Sequence, residues 1–181
     1  MAPVGYDDSY GENYHQPREI DVVFIGRLKK AYRRSRVEAL ADKFSAMGLH
    51  CKVIDGNCDG KARTALLNNT KLVLHLHNYP WDTPWMRWGY AASCGAAVVS
   101  EPLTYREPFE PGVHYLEAPY DNLSEAVALA VSQPQKLQEM SEACLSLMKR
   151  KASAQVSLKT IVAECLPDKQ AFADTDLLRR D

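Results

Sequence analysis

The sequence predicts an α/β fold: one doubly wound parallel sheet with helices on both faces and a helical C-terminal segment. Short, almost continuous apolar runs recur along the chain, as expected of strands that helices cover on both sides. Segments with apolar residues at helical spacing separate most of these runs, and such alternation indicates parallel strands joined by helical crossovers. The stretch from Lys71 to Glu101 contains a complete strand–loop–helix–strand unit, around which the rest of the sheet can be built.

The individual elements follow from the same patterns. Apolar runs predict strands at residues 20–25, 50–54, 72–76, 96–100 and 113–116. Helical spacing predicts helices at residues 31–47, 61–69, 85–94, 121–131, 135–151 and 154–166. Gly48 and Gly95 fit the C-terminal caps of the first and third helices. The third helix would begin with Asp82 or Thr83 as its N-cap and Pro84 in its first turn. This order of elements is that of a Rossmann-like domain.

The composition is that of an ordinary globular domain. We assign one domain to residues 20–166, with a linker or extended arm at 1–19 and a flexible tail at 167–181. The net charge of −1 gives no reason to expect a nucleic-acid partner. No apolar run reaches the length of a membrane span, and no signal peptide is apparent, so we expect a cytoplasmic protein. The five cysteines are scattered, which disfavours zinc sites and disulfide frameworks.

The first strand ends in a segment suited to an anion. Gly26 would let the backbone approach a ligand closely, and the following helix offers free N–H groups. Among the six basic residues that follow, we favour Arg27 and Lys30 as ligand contacts. For Arg33, Arg34 and Arg36 we favour a solvated helix face. The motif is neither GxGxxG nor a Walker P-loop, so it predicts phosphate binding without naming a family.

A second group of candidates surrounds the third strand. His75 and His77 alternate with leucines, so both rings should lie on one side of the strand. We expect His75 to be a hydrogen-bonded core residue, while His77, at the strand end, is the better ligand candidate. No further ligand is spaced to complete a metal set, so we predict no metal site.

The helix after this strand carries a single charge, Arg87. It is either buried in an ion pair or directed toward an anionic ligand, and we favour the ligand. Tyr90 lies about one helical turn further on and can share that face. Glu101 ends the fourth strand, where its carboxylate would either accept from sugar hydroxyls or cap the next loop. No nucleophilic motif and no pair of catalytic carboxylates stands out, so the catalytic residues stay unknown.

Taken together, these segments resemble the C-terminal half of GT-B glycosyltransferases. The resemblance rests on DVVFIGRL, on ALLNNTKLVLHLHNYP and on the segment from Arg87 to Glu101, RWGYAASCGAAVVSE, in this order and spacing. The chain is most similar to the group-1-like glycosyltransferases related to the spore-maturation protein CgeB. The resemblance covers roughly residues 21–147, which is most of the chain.

The resemblance implies a donor domain that holds a nucleotide-diphosphate sugar, such as a UDP-, GDP- or dTDP-sugar, without a cofactor or bound metal. Gly26 and Arg27 would approach the diphosphate, with Lys30 assisting. Arg87 would face the diphosphate or the sugar, and His77 and Tyr79 would line the cleft. Many group-1 enzymes bind ribose through a glutamate at the position of Tyr90, so this contact differs here.

The same resemblance implies an N-terminal acceptor domain, which this chain lacks. The chain would then be either an excised piece of a longer enzyme or one subunit of an enzyme whose acceptor domain is on another chain. The face left exposed would also favour a homodimer. Two other interpretations compete with that of a donor half. The chain could be a stand-alone nucleotide-binding module, or a self-associating module without transferase activity.

Overall fold

Five parallel strands form the central sheet of the structure, a computed structural model that describes residues 5–79, 81–82 and 85–165. The strands are β1 (Ile20–Gly26), β2 (Cys51–Asp55), β3 (Thr70–His75), β4 (Ala97–Ser100) and β5 (Leu116–Glu117). Around them lie α1 (Ala31–Ala46), α2 (Gly60–Asn68), α3 (Trp85–Ser93), α4 (Leu123–Val131), α5 (Pro134–Lys151) and α6 (Ala154–Cys165). The predicted doubly wound α/β fold is confirmed.

Both faces of the sheet are covered because alternate side chains of each buried strand point in opposite directions. On one face, Val22 and Phe24 of β1 join a cluster with α1, α4 and the first half of α5. On the other face, Val23 of β1 joins a cluster with α2, α3 and the second half of α5. Strands buried on both faces need apolar side chains throughout, which explains the continuous apolar runs in the sequence.

The strand order is β2-β1-β3-β4-β5, and it determines where a ligand could enter. From β1 the chain moves outward to β2 and then returns to place β3 on the other side of β1. The crossovers therefore leave β1 and β3 toward opposite sides of the sheet, and a crevice forms beyond their carboxyl ends. In open parallel sheets, ligands bind in this crevice.

The last strand differs from its prediction. Residues 113–116 were expected to be extended, but only Leu116 and Glu117 pair with β4. The preceding residues form a turn, in which Gly112 has φ +80° and the N–H of His114 donates to the carbonyl of Glu110 at 3.0 Å. A run of four residues with three apolar or aromatic side chains cannot distinguish this turn from a strand. The predicted roles of Thr83 and Pro84, and the flexible tail at 167–181, fall outside the described residues.

Residues 5–19 lie against the domain as an extended arm that includes one 3-10 turn, Asp8–Tyr10. Tyr6 is buried and exchanges backbone hydrogen bonds with Ala152 and Ala154, at 2.5 and 2.8 Å. Further along, the side chain of Asn68 bonds the backbone of the arm at Glu12 and Tyr14. The arm is therefore held at both its start and its middle. Within the described ranges, no helix combines the length and apolar composition needed to cross a lipid bilayer.

Candidate functional site: a cationic cavity between β1 and β3

A cavity of about 360 Å³ opens at the carboxyl edge of the sheet, beyond the ends of β1 and β3. Four elements contribute to it: the end of β1, the loop between β2 and α2, the end of β3, and α3. Its polar and charged lining comprises Arg27, Asn57, Cys58, Asp59, Arg63, His75, Asp82, Arg87 and Tyr90. The cavity thus occupies the position at which the strand order predicts a ligand site.

Arg87 and His75 form the polar pair at the floor of this cavity. Arg87 Nη1 lies 2.5 Å from His75 Nδ1. A guanidinium can only donate, so Nδ1 accepts, and the neutral ring carries its proton on Nε2. Burial, with the positive charge of Arg87 as the next cause, holds the pKa of His75 well below its usual value of 6.5. The neutral ring therefore forms no ion pair with Asp82, whose Oδ2 lies 4.0 Å from Nε2.

Three arginines and two aspartates line the cavity within the described part of the chain, which leaves it positive. Arg87 is partly buried, and burial is the main cause that lowers its pKa from the usual arginine value, although the guanidinium stays charged. Arg63 lies over the ring of Tyr90, 3.5 Å from its centroid. Arg27 is exposed at the rim. A positive cavity with few internal acceptors is suited to an anionic ligand.

Arg33 adds a fourth cation just behind the lining. It is only 6% exposed, and its guanidinium lies over Phe24, 5.3 Å from the ring centroid. A Cβ added at Gly26 would come within 3.5 Å of Arg33 Nη2 and 3.1 Å of the Phe24 ring. Glycine at the end of β1 therefore leaves room for this guanidinium close to the cavity. Burial is the main cause that lowers the pKa of Arg33 from the usual arginine value.

We expected Arg33, Arg34 and Arg36 to form a solvated face of α1. This prediction holds for Arg34 and is wrong for Arg33 and Arg36. Arg34 is exposed and pairs with Asp55 at 2.9 Å. Arg33 is buried, as described above. Arg36 is half-buried and pairs with Glu101, with Nη2 2.5 Å from Oε1. Helical spacing alone could not reveal this difference, because it depends on which strand ends and loops the helix packs against.

Four of the eight predicted site residues meet in the cavity: Gly26, Arg27, Arg87 and Tyr90. Lys30 and Tyr79 lie together elsewhere, with Lys30 Nζ 3.7 Å from the centroid of the Tyr79 ring. Tyr79 also stacks on Trp81 at 5.5 Å, and both rings are exposed, at 45% and 64%. Trp81 is thus outside the core, whereas Trp85 and Trp88 are buried in it.

His77 and Glu101, the remaining predicted residues, contact each other outside the cavity lining. The backbone N–H of His77 donates to Glu101 Oε2 at 3.0 Å, and the same carboxylate pairs with Arg36. The His77 ring lies 5.3 Å from that of His75, which confirms that the two rings share one side of the strand. Nevertheless His75, the one expected to be a core residue, is the histidine that lines the cavity.

Sequence reasoning overlooked the contribution of the β2–α2 region, namely Asn57, Cys58, Asp59 and Arg63. A signal for it was available. Asp55-Gly56-Asn57 reads as a turn at the carboxyl end of β2, and all carboxyl ends of a parallel sheet lie at one edge. The sequence does not show that β2 pairs with β1, because the strand order is set by tertiary packing.

A second cavity, of about 410 Å³, lies between the arm and α5, near the start of β3. Its basic residues Arg18 and Lys71 are already engaged: Arg18 donates to backbone carbonyls, and Lys71 pairs with Asp21 at 2.7 Å. In the first cavity, by contrast, Arg27 is exposed at the rim and Arg87 makes its one described hydrogen bond to a neutral ring, so neither guanidinium is paired with a carboxylate in the described residues. The first cavity is the better candidate for an anion site.

Comparison with known proteins identifies a family and a fold. The profile of the family described as "Glycosyl transferase-like" matches residues 16–163. No curated protein sequence matches the chain significantly. The crystal structure of HepE from Anabaena in complex with UDP covers 88% of this chain at 14% identity, with a TM-score of 0.66. This chain covers 55% of HepE.

Two further structures have the same fold. The C-terminal domain of the group 1 glycosyl transferase LpcC from Francisella tularensis is 10% identical, with a TM-score of 0.61. That comparison covers 83% of this chain and 100% of the LpcC domain. TarM from S. aureus, in complex with UDP, is 12% identical over 84% of this chain, with a TM-score of 0.65. The chain spans 36% of TarM and about half of HepE, and thus a part of each protein's length.

Proposed function

This chain belongs to the glycosyl transferase-like family, as its sequence resemblance predicted, and we propose that it binds the nucleotide-diphosphate sugar donor of a glycosyltransferase. The observation that carries the proposal is the positive cavity between β1 and β3, where Gly26, Arg27 and Arg87 meet although they are far apart in the sequence. Structures of HepE with UDP and with UDP-glucose support the same ligand class.

The diphosphate is the part of such a donor that this cavity suits best. Charge-assisted hydrogen bonds from arginine to phosphate oxygens are stronger than neutral ones and fix orientation. Arg87 is partly buried and makes its one described hydrogen bond to His75, so its other N–H groups remain for a ligand. Arg27 at the rim and Arg63 beside Tyr90 extend the positive lining. Tyr90 would lie beside the ribose or sugar.

The proposed transfer reaction proceeds without a metal ion, through stabilisation of the departing diphosphate. As the glycosidic bond to the diphosphate breaks, negative charge grows on the diphosphate oxygens, and fixed cations stabilise that charge. Arg87 is held by His75 before the ligand arrives, so little reorganisation is required. We assign no residue of this chain as a base toward the acceptor.

The acceptor would bind to a separate domain. This chain spans about half of HepE and a smaller share of TarM, and the whole LpcC C-terminal domain. We propose that an acceptor-binding domain, on another chain or another part of the same protein, faces the cavity. Transfer activity that appears only when such a domain is added would support this proposal, and binding without transfer under all conditions would favour the stand-alone binding module.

Isothermal titration with UDP, GDP, dTDP and their sugars tests the donor-binding proposal directly. We expect at least one of these ligands to bind with one site per chain. The variant for comparison is Arg87→Ala, which removes a cation of the cavity and should bind the same ligand more weakly. Absence of binding to every one of these ligands would overturn the proposal, and so would equal binding by the wild type and by Arg87→Ala.

A further inference from the structure

His75 carries a hydrogen-bond donor that the described part of the chain leaves without an acceptor. The side chain is fully buried, and its Nδ1 accepts from Arg87. The remaining ring proton is therefore on Nε2, and this atom has no partner among the described residues. Buried donors without a partner are rare in folded proteins, so each one calls for a specific explanation.

The Asp82 carboxylate is the group that stands over this donor. Its Oδ2 is 4.0 Å from His75 Nε2, which is close but beyond hydrogen-bond distance. Both residues line the cavity. The same oxygen accepts from the backbone N–H of Asn78 at 3.1 Å, which holds the carboxylate in place. Asp82 is 29% exposed at its side chain, so it can turn toward solvent.

The charges around Asp82 are those expected around a bound anion. Its negative charge acts on Arg87 and Arg33, and in both cases it opposes the lowering of the arginine pKa by burial. The structure therefore holds a carboxylate 4.0 Å from a neutral N–H donor and in the field of two guanidinium groups. A phosphate oxygen has the same charge sign and the same preference for such donors.

We propose that His75 and Arg87 form a phosphate-oxygen subsite, and that Asp82 covers this subsite as a built-in counter-anion until the ligand displaces its carboxylate. The inference rests on the proposed function and adds two specific roles to it. His75 Nε2–H donates to an oxygen of the diphosphate. Asp82 competes with that oxygen, so it weakens binding and favours release of the ligand.

The first test uses Asp82→Asn with inorganic pyrophosphate as the probe, measured by isothermal titration. Asparagine keeps an oxygen that can accept from Asn78 N–H but removes the competing charge. We expect Asp82→Asn to tighten pyrophosphate binding roughly fivefold, because a like charge close to the ligand is removed. Asp59→Asn is the matched control, since Asp59 lines the same cavity from the start of α2, and we expect a change of less than twofold.

Unchanged or weaker binding by Asp82→Asn would overturn the proposal. Equal tightening by Asp82→Asn and Asp59→Asn would also overturn it, because Asp82 would then act only through the overall electrostatic potential of the cavity. Failure of the wild type and of Asp82→Asn to bind pyrophosphate and every nucleotide would instead remove the proposed function together with this inference. The two failures are thus distinguishable.

The second test separates the two nitrogens of His75. In His75→Asn the side-chain oxygen can take the place of Nδ1 and accept from Arg87, but the donor at Nε2 is lost. In His75→Gln the amide nitrogen can take the place of Nε2, whereas the acceptor at Nδ1 is lost. We expect His75→Asn to weaken pyrophosphate binding about tenfold and His75→Gln to retain more of it. The opposite order would show that His75 only positions Arg87.

If either variant fails to fold, the wild type provides the measurement. Nitrogen-15 NMR of the imidazole would report the Nε2–H tautomer and the shift of its proton on titration with pyrophosphate. We expect a large shift of the Nε2 proton at saturation. A bound state with an unchanged Nε2–H signal would overturn the subsite.

Discussion

Arg87 is the residue on which anion binding depends most directly. We expect Arg87→Ala to weaken binding of UDP or pyrophosphate by about 1.5–3 kcal/mol, since hydrogen bonds to charged groups contribute on this scale. Isothermal titration measures the change, with Arg34→Ala as a control because Arg34 is exposed and pairs with Asp55 outside the cavity. Unchanged affinity together with a large fall in melting temperature would make Arg87 a structural partner of His75 instead.

His75 gives the protein a pH-dependent stability with a defined sign. Its pKa in the folded state lies well below 6.5, so the unfolded chain binds a proton more readily. The stability that comes from the neutral ring is present above pH 6.5 and is lost as the pH falls below that value. We expect the wild type to lose about 1 kcal/mol more than His75→Asn between pH 7 and pH 5.5.

Urea denaturation at several pH values measures this difference, and subtraction of the variant removes contributions shared by both proteins. His114 is one such contribution, because burial also lowers its pKa. Identical pH profiles for the wild type and His75→Asn would contradict the assignment of His75 as a buried neutral ring.

At the scale of elements, the arm is fixed to the domain chiefly through Arg18. Its guanidinium donates to the carbonyls of Leu67, Thr70 and Cys94 at 2.9, 2.7 and 2.6 Å. These carbonyls lie at the ends of α2 and α3 and at the start of β3, so one side chain joins three elements. Helix ends have free carbonyls, and a cation is a favourable partner for them.

We expect Arg18→Met to lower the free energy of unfolding by about 2–3 kcal/mol, because it leaves partly buried carbonyls without their charged donor. Chemical denaturation in urea measures the change. Arg150→Met is the control, as Arg150 is exposed near the end of α5 and, among the described residues, donates to Ser146 of its own helix. A loss no larger than that of the control would mean that the arm contributes little to the fold.

The helices and strands were largely predictable, because the sequence pattern within each of them indicates its type. Strands β1, β3 and β4 are buried on both faces, which requires a continuous apolar run, and helices such as α5 show their apolar stripe directly. Gly48 and Gly95 stand at positive φ after α1 and α3, as expected of helix ends. The strand β5 was misplaced because its two residues carry too little pattern to separate them from the turn before them.

The site residues that could be predicted are those whose own segment of sequence marks them as unusual. Gly26, Arg27 and Arg87 were found because each stands out in its own segment. The relation between His75 and Asp82 could not be found, since it depends on how the residues after β3 fold back over the strand. Likewise, Arg36 and Glu101 form an internal ion pair that neither residue's neighbours in sequence indicate.

At the scale of the whole molecule, the cavity joins segments that are distant in sequence. Residues of β1, of the β2–α2 loop, of β3 and of α3 all contribute to it, and these elements also form both faces of the core. A ligand that contacts all of them binds only the folded chain. Its binding free energy therefore adds to the stability of the entire domain.

We expect a nucleotide ligand at about 100 times its dissociation constant to stabilise the folded protein by about 2.7 kcal/mol. For a domain of this size, that corresponds to a rise in melting temperature of about 5–10 °C. Thermal unfolding with increasing UDP or UDP-glucose measures the shift, which should be reduced in Arg87→Ala at the same ligand concentration. Because the net charge of the chain is only −1, general attraction of anions to its surface cannot supply such a shift. An equal shift in Arg87→Ala would place the bound nucleotide outside the cavity between β1 and β3.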